Sequence, residues 1–436
     1  MNPELRRNLW LEFSLHRMIA VPAVIVLIAL LIIASDDKNV TRSLAMAAAG
    51  GYGAIVLLWG TRLAAASVLD EARERTWDAQ RMSAITPWAM TWGKLLGAPS
   101  FTWYGGAILL AIFMFSGNLA NLPVLRYTAL LLCGAILLHA MALNASVMAA
   151  KKTVARRSAS TLFLLVLVFL WLVPGLNVLD SMDKTVAWWG LTILQLNFAL
   201  GTTAAFGAWA VLGAYRSMCD ELEIRTTPWA LPAFLLCTAA YVAGFTKGEL
   251  HSGGPSPFFA VTAVGVVVAM VFIYALLFAE KSGAAVWQRL RVRVAAKQWH
   301  RALQELPLWL VALVMGLALA LVASVSGGKE TADTFKIGTA PIALILFAVR
   351  DAAIFQFFAL AKQPRRVEAA TLFYLILLYG LLPGLLKVSG ADAVAQFIFP
   401  PLSKNALFAT AVLAVHAAIA VSLTVWRWRT IHAPDT

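Results

Sequence analysis

The stretch "MIAVPAVIVLIALLIIAS" (residues 18–35) contains eighteen consecutive residues without a charge. A helix needs about twenty apolar residues to cross a bilayer, because its backbone N–H and C=O groups find no water in the hydrocarbon. The run follows a charged amphipathic stretch, lacks a small-residue cleavage site and precedes further runs of the same kind. We therefore interpret it as a retained span and not as a removed signal peptide.

The composition of the whole chain agrees with a membrane protein. Apolar residues make up 61% of the 436 positions and charged residues 13%, against about 45–50% and about 25% in soluble domains. The sequence predicts an all-α polytopic membrane protein with about 12 transmembrane helices. The apolar runs lie near 18–35, 43–67, 97–116, 124–149, 158–178, 186–213, 229–246, 257–279, 308–326, 337–361, 369–388 and 405–426.

The distribution of Lys and Arg predicts the orientation. If the N-terminus lies inside, the inner segments carry 25 of the 35 cations and the outer loops carry 9, which follows the positive-inside rule. We expect a multi-pass protein of the cell (inner) membrane with both termini cytoplasmic. The net charge of +13 then lies where anionic membrane lipids would meet it, and we expect no nucleic-acid partner.

An internal similarity indicates that the chain contains two related halves. The segment "AKKTVARRSASTLFLLVLVFLWLVPGL" (150–176) resembles "AKQPRRVEAATLFYLILLYGLLPGL" (361–385), and the Arg-Arg, Thr-Leu-Phe and Pro-Gly landmarks keep offsets of 209, 210 and 209. Apolar spans also match by chance, so the Leu and Val identities count for little. We predict two parallel six-span units, 1–217 and 218–436, with a transport pathway at their interface as in other parallel repeats.

The sequence contains no recognisable metal-binding, catalytic or nucleotide-binding motif. The three cysteines, Cys133, Cys219 and Cys237, have no metal-ligand spacing, and neither H-E-x-x-H nor a nucleophile–base set is present. The chain also lacks a G-x-x-x-x-G-K-[ST] phosphate loop, since "SGGKET" (326–331) has the wrong spacing. We expect no enzyme activity, no metal and no cofactor bound by this chain.

The segment 68–96, which contains "ERTWDAQRMSAITPWAMTWGKLL" (74–96), is charged and rich in tryptophan although it lies between two apolar runs. Asp70, Glu71, Glu74 and Asp78 recur at three- and four-residue spacing, which predicts a helix with its acids facing water. Thr86-Pro87 should break that helix. Trp88 and Trp92 are expected at headgroup level. The segment is either a docking surface on the inner membrane face or a solvated loop.

This segment resembles the cytoplasmic signature of ABC type-2 exporter permeases, in which acidic and basic residues precede Gly-Thr-Leu-Glu, a Pro-Leu-Ser core and Gly-Lys-Leu-Leu. Arg75 stands where the family usually has Gly, and Ala84 where the core Pro is common. The N-terminal stretch "PELRRNLWLEFSLHRM" resembles the interfacial elbow helix of these permeases, with Leu5, Leu9 and Phe13 on one apolar stripe. The resemblance implies that the residues coupling the chain to an ATPase are Glu71, Glu74, Arg75, Thr76, Trp77, Asp78, Thr86, Pro87, Gly93 and Lys94.

The resemblance further implies the permease subunit of an exporter, with two six-span units fused in one chain and worked by cytoplasmic ABC ATPase subunits, two copies of which would bind ATP and Mg. The second half has a diverged segment, 280–306, in which Arg289, Arg293, Lys297 and Arg301 form a basic stripe at four-residue spacing. That stripe either contacts lipid headgroups or binds a partner.

Six polar residues fall inside the predicted spans: His139, Asn144, Gln195, Asn197, Arg350 and Asp351. A central Arg costs on the order of 3 kcal/mol on insertion scales, so we expect Arg350 to face the bundle interior with a partner. Arg350 and Asp351 point about 100° apart and should not pair only with each other. Alignment of the halves relates Arg350 to His139. These residues form a substrate or gating site, or they orient helices through hydrogen bonds.

Two other functions remain possible from the sequence. A secondary active transporter of the 12-helix, two-repeat type would predict a long central cytoplasmic loop, but the join at "CDELEIRTTPWALP" (219–232) is short. A non-transporting membrane scaffold is the other alternative.

Overall fold

The computed structural model describes residues 2–35, 39–83, 85–150, 184–245, 257–280, 283–326, 341–361, 367–403 and 405–431. The protein is an all-α polytopic membrane protein, and its described residues also contain one short two-stranded sheet. Within the described residues, ten helices are long and apolar enough to cross a membrane.

The chain divides into two compact units. The first comprises Met1–Val186 and Leu191–Thr226, and the second Ala187–Gly190 and Thr227–Thr436. The unit boundary therefore follows Thr226, whereas the sequence predicted 217/218. Residues 187–190, at the tip of a β-hairpin that spans 185–194, pack within the second unit, where Trp188 Nε1 donates a hydrogen bond to Tyr241 O (3.0 Å).

The first unit begins with a short surface helix, followed by spans and a pair of short helices. Its elements are α1 (Pro3–Glu12), α2 (Leu15–Ser35), α3 (Val40–Tyr52), the π-helical segment π1 (Gly53–Gly60), α4 (Thr61–Arg73), α5 (Trp77–Arg81), α6 (Pro87–Gly97), α7 (Ser100–Leu119), α8 (Val124–Ala150), β1 (Thr185–Trp188), β2 (Leu191–Leu194) and α9 (Gln195–Glu221). Helices α3, π1 and α4 form one continuous helical run, Val40–Arg73.

The core of the first unit lies between the second, third and fourth spans, where small residues let helices approach. A side chain at Gly106 would meet Tyr52 and Val56 of the neighbouring span. Helix α2, by contrast, is apolar on all sides and mostly exposed. A helix of this kind needs lipid around it.

In the second unit, as in the first, a pair of short helices lies between long apolar ones. Its elements are α10 (Ala230–Ala243), α11 (Pro257–Ala279), α12 (Ala284–Ala295), α13 (Trp299–Gln304), α14 (Leu308–Ser326), α15 (Pro341–Ala359), α16 (Val367–Ile376), the π-helical segment π2 (Leu377–Leu381), α17 (Leu382–Val388), α18 (Asp392–Ile398) and α19 (Ala406–Ile431). A single 3₁₀ turn, Pro400–Leu402, precedes α19.

Three of the twelve predicted runs differ from the structure or lie outside it. The run at 158–178 is outside the described residues. The run at 229–246 forms α10, whose 14 residues are fewer than the roughly twenty that a span requires. The run at 186–213 was predicted with the wrong bounds, because residues 185–194 form the hairpin and the helix extends from Gln195 to Glu221.

Candidate functional site

The segment after the second span of the first unit, residues 74–97, is here named the first connecting segment. Lys94, in the last turn of α6, is 1% exposed. Its Nζ hydrogen-bonds the carboxylate of Glu71 and lies 3.4 Å from Glu4 Oε1. Arg7 donates to both carboxylates, at 2.9 Å to Glu4 and 2.5 Å to Glu71. These four residues, named the charge cluster, carry two positive and two negative charges, so the burial of Lys94 is compensated.

The charge cluster fixes α1 against α6. Asn2 caps α1 by accepting from Glu4 N (3.0 Å) and donates to Ala89 O of α6 (2.6 Å). Glu4 lies on Gly93, and Asn8 lies on Gly97, where a methyl group would come within 3.0 Å of Asn8. The two glycines leave α6 without side chains where α1 crosses it, so the helices come into direct contact.

The expected apolar stripe on α1 is wrong for Phe13, and the helix face that packs on α6 is polar. The buried face contains Glu4, with Asn8 beside it, because α1 packs on α6 through polar groups. Phe13 lies beyond the helix in extended conformation, and its ring contacts Phe101 and Tyr104 of α7 edge-on.

The expected acidic helix is also corrected. Helix α4 ends at Arg73, and Arg75 adopts a left-handed conformation with φ 60°, so the four acids do not share one helix. Glu71 does not face water, since its side chain is 14% exposed. Besides the contacts already described, it accepts a hydrogen bond from Gln80 Nε2 (2.7 Å).

The remaining predicted coupling residues separate into an inner and an outer group. Trp77 is buried, and the Lys94 ammonium lies 5.2 Å from the centre of its ring, a cation–π geometry. The side chains of Glu74, Arg75, Thr76 and Asp78 are exposed and are named the rim. Gly93, Lys94, Glu71 and Trp77 thus lie inside the structure, whereas the rim and Thr86 are exposed.

The start of α6 agrees with the predicted helix break. Thr86 caps the helix, its Oγ1 accepting from Ala89 N (3.3 Å), and Pro87 occupies the first turn, where its missing N–H costs nothing. Trp88 is 55% exposed, and its ring contacts Trp92 and Tyr215 edge-on.

Several residues that hold the first connecting segment were missed from the sequence. Glu4, Arg7 and Gln80 belong to the charge cluster or bind it. Arg81 Nε donates to Glu221 O at the end of α9 (3.0 Å). The Asn2-Pro3-Glu4 order is a typical helix start, but no local pattern indicates which distant residue Glu4 meets.

Residues 283–307 are named the second connecting segment. The predicted basic stripe is interrupted, because α12 ends at Ala295 and Lys297 has φ 54° before α13 starts. Arg293 pairs with Glu305 (3.5 Å) and Gln298 (3.0 Å). The other basic side chains of the predicted stripe, Arg289, Lys297 and Arg301, are exposed.

Arg350 and Asp351 lie at a buried polar centre in the second unit. Arg350 Nε donates to Asp351 Oδ1 (2.9 Å), and Tyr274 and Tyr379 donate to Asp351 Oδ2 at 2.6 and 2.5 Å. The guanidinium also lies 5.0 Å from the ring centres of Phe347 and Tyr379. The expectation that the pair has further partners is confirmed.

His139 is fully buried in the corresponding helix of the first unit. Its Nε2 lies 2.9 Å from Val56 O in π1, and Trp103 meets its ring edge-on. A side chain at Gly60 would come within 2.7 Å of Nε2, so the glycine makes room for the imidazole. Tyr379 belongs to π2, so in each unit a π-helical segment contacts a polar residue of a long helix, His139 of α8 or Asp351 of α15. Such segments are frequent at functional sites.

The other predicted intramembrane polar residues do not join either centre. Asn144 Oδ1 accepts from Ser217 Oγ (2.6 Å), an interhelical bond within the first unit. Gln195 and Asn197 were expected in mid-span, but both lie in the first turn of α9. Asn197 is exposed there, and Gln195 N donates to Lys184 O.

No protein-family model, no curated protein and no solved structure matches this chain.

Proposed function

We propose that this chain is the membrane (permease) subunit of an ABC exporter, with both six-span units in one chain and with ATP hydrolysis supplied by separate cytoplasmic ATPase subunits. The observation that carries the proposal is the first connecting segment, which combines an exposed rim with a buried attachment to three helices. Its direct links run to α1 through Glu4, to the end of α4 through Glu71, and to α9 through Arg81.

This arrangement is suited to transmitting force. Helix α6 ends at Gly97, and α7 starts at Ser100, so a displacement of α6 would reach a span directly. The ion pair between Lys94 of α6 and Glu71 of α4 would pass the same displacement to the second span. A solvated loop, the alternative for this segment, would need none of these buried contacts.

The conformation of Arg75 adds support for the resemblance to type-2 exporter permeases. Those permeases usually have Gly where this chain has Arg75, and Gly is the residue that adopts a left-handed conformation without steric cost. Arg75 has φ 60°. The backbone at this position is therefore the one that Gly favours, although the residue differs.

The packing within the units supports the proposed duplication. In the first unit α8 packs on α9 and α4, and α3 packs on α7; in the second, α15 packs on α19 and α11, and α11 packs on α14. The fourth span thus contacts the second and the last span in each unit. The landmark residues of the first repeat, 151–176, lie outside the described residues.

Purification of this chain from its native membrane, with a search for co-purifying ABC ATPase subunits, tests the proposal. We expect a complex with ATPase activity, and we expect the double variant Glu74→Ala with Thr76→Ala to weaken binding about fivefold to thirtyfold, since loss of partner contacts costs about 1–2 kcal/mol. Both side chains are exposed, so the fold should survive. Glu12→Ala, which removes a partly exposed acid from α1, is the matched control and should leave binding unchanged.

Two results would count against the proposal. One is the absence of any complex, or a complex that the rim variant leaves intact. The other is cargo movement by the purified chain in liposomes on an ion gradient alone, which would favour a secondary transporter instead.

A further inference from the structure

A cavity of about 500 Å³ opens in the second unit between α12, α14, α15 and α19. Its size is in the range of small-molecule sites. It lies at one end of the bundle, because it is lined by Trp309 from the start of α14, by Gln356 from the last turn of α15 and by Trp428 near the end of α19. The short helix α12 closes one side with Trp287.

The lining of this cavity favours hydrocarbon. Its walls are mainly Leu, Val, Ala and Trp, and two of its polar groups are already engaged. Gln356 Oε1 accepts from Trp287 Nε1 (3.2 Å), and Thr424 Oγ1 donates to carbonyls of Ala353 and Ala420. A peptide backbone would find few partners here, whereas an acyl chain needs none. The three tryptophans correspond to the aromatic belt found where spans meet headgroups.

The mouth of the cavity is positively charged. Arg291 lines it and is exposed. Within the described part of the chain, Arg291 makes no ion pair, whereas Arg293 nearby on α12 pairs with Glu305. A guanidinium binds phosphate oxygens in a two-pronged geometry. Basic residues above an apolar pocket between spans are typical of anionic-lipid recognition.

We propose that this cavity binds one anionic glycerophospholipid, with an acyl chain between α14, α15 and α19 and the phosphate on Arg291. The lipid would join the second connecting segment to the ends of three helices. The proposal concerns a resident ligand and is independent of whether an ATPase drives the chain.

Native mass spectrometry of the full-length protein, titrated with phosphatidylglycerol or phosphatidylcholine of identical acyl chains, tests it. We expect one phosphatidylglycerol to bind roughly fivefold to tenfold more tightly than phosphatidylcholine, the effect of about one Arg–headgroup contact. Arg291→Gln should remove that preference. Arg289→Gln, the same change on α12 at a residue outside the lining, should keep it.

The acyl site is tested by filling the cavity. Val425→Trp, at an exposed position on α19, should weaken the binding of both lipids about equally. Ala353→Phe on α15 fills the same cavity from another helix, so one variant can replace the other if it unfolds. Equal affinity of the native chain for the two lipids, or equal losses in Arg291→Gln and Arg289→Gln, would overturn the headgroup assignment. Unchanged affinity in a folded cavity-filling variant would overturn the acyl site.

Discussion

The two connecting segments occupy the same place in the order of helices but are held in different ways. The first is held by the charge cluster, in which Lys94 is buried against Glu4 and Arg7 of α1 and Glu71 of α4. In the second, α12 has no buried residue and α13 has one, Ala302. The buried charge of the first segment therefore has its partners within the protein. The second leaves Arg289 and Arg291 exposed to water, lipid headgroups or another molecule.

This difference has a physical consequence. A buried charge must be paired within the protein, so the first segment has one favourable position against α1 and α4. An exposed charge is stabilised by water or headgroups in many positions, so the second segment has no such restriction. The contrast suits the first segment to a mechanical role and the second to membrane contact.

The substitution Lys94→Met should have the largest effect on this contrast. It leaves Glu4 and Glu71 facing one another with Arg7 as their remaining cation, and we expect a loss of about 3–5 kcal/mol of folding free energy. Lys297→Met, the same change at an exposed position of the second segment, should cost less than about 0.5 kcal/mol. Thermal unfolding in detergent measures both. Equal midpoints for the two variants would mean that the charge cluster does not hold the first segment.

Gly93→Ala should have an intermediate effect. The added methyl would overlap the Cβ of Glu4 and come within 3.2 Å of Leu5 N, so α1 must move away from α6 at a cost of about 1–3 kcal/mol. Gly283→Ala at the start of the second segment meets nothing within 4 Å and should be nearly neutral. Limited proteolysis of α1, measured together with the unfolding midpoint, should be faster in Gly93→Ala and unchanged in Gly283→Ala. If α1 of Gly93→Ala is cleaved as slowly as in the native chain, the described packing of α1 on α6 is wrong.

Arg75→Gly should have the smallest effect, and in the opposite direction. Because Arg75 has φ 60°, glycine removes steric strain, and we expect stabilisation of about 0.5–1 kcal/mol. Glu74→Gly, one residue earlier with φ −78°, should destabilise instead. The unfolding midpoints of both variants, compared with that of the native chain, give the sign of each change in stability. A midpoint for Arg75→Gly below that of the native chain would show that the left-handed turn is not strained.

The pairing of charges was the part of the site that the sequence left open. The chemistry of single residues correctly predicted a helix boundary at Thr86-Pro87 and partners for Arg350. Periodicity failed for Glu71, because three- and four-residue spacing indicates a shared helix face but not what lies opposite it. It failed again at 186–213, where strand and helix both accept the same apolar residues.

Composition and run length by themselves determined that this chain is an α-helical membrane protein, because backbone amides in hydrocarbon must be satisfied within each segment. Tertiary structure decided which charges are buried. The contact of Lys94 with Glu4 joins residues 90 positions apart, and that of Asp351 with Tyr274 joins residues 77 apart. Local sequence carries no record of such distances, so only the packing of helices determined which polar residues face one another and which remain available to lipid or a partner.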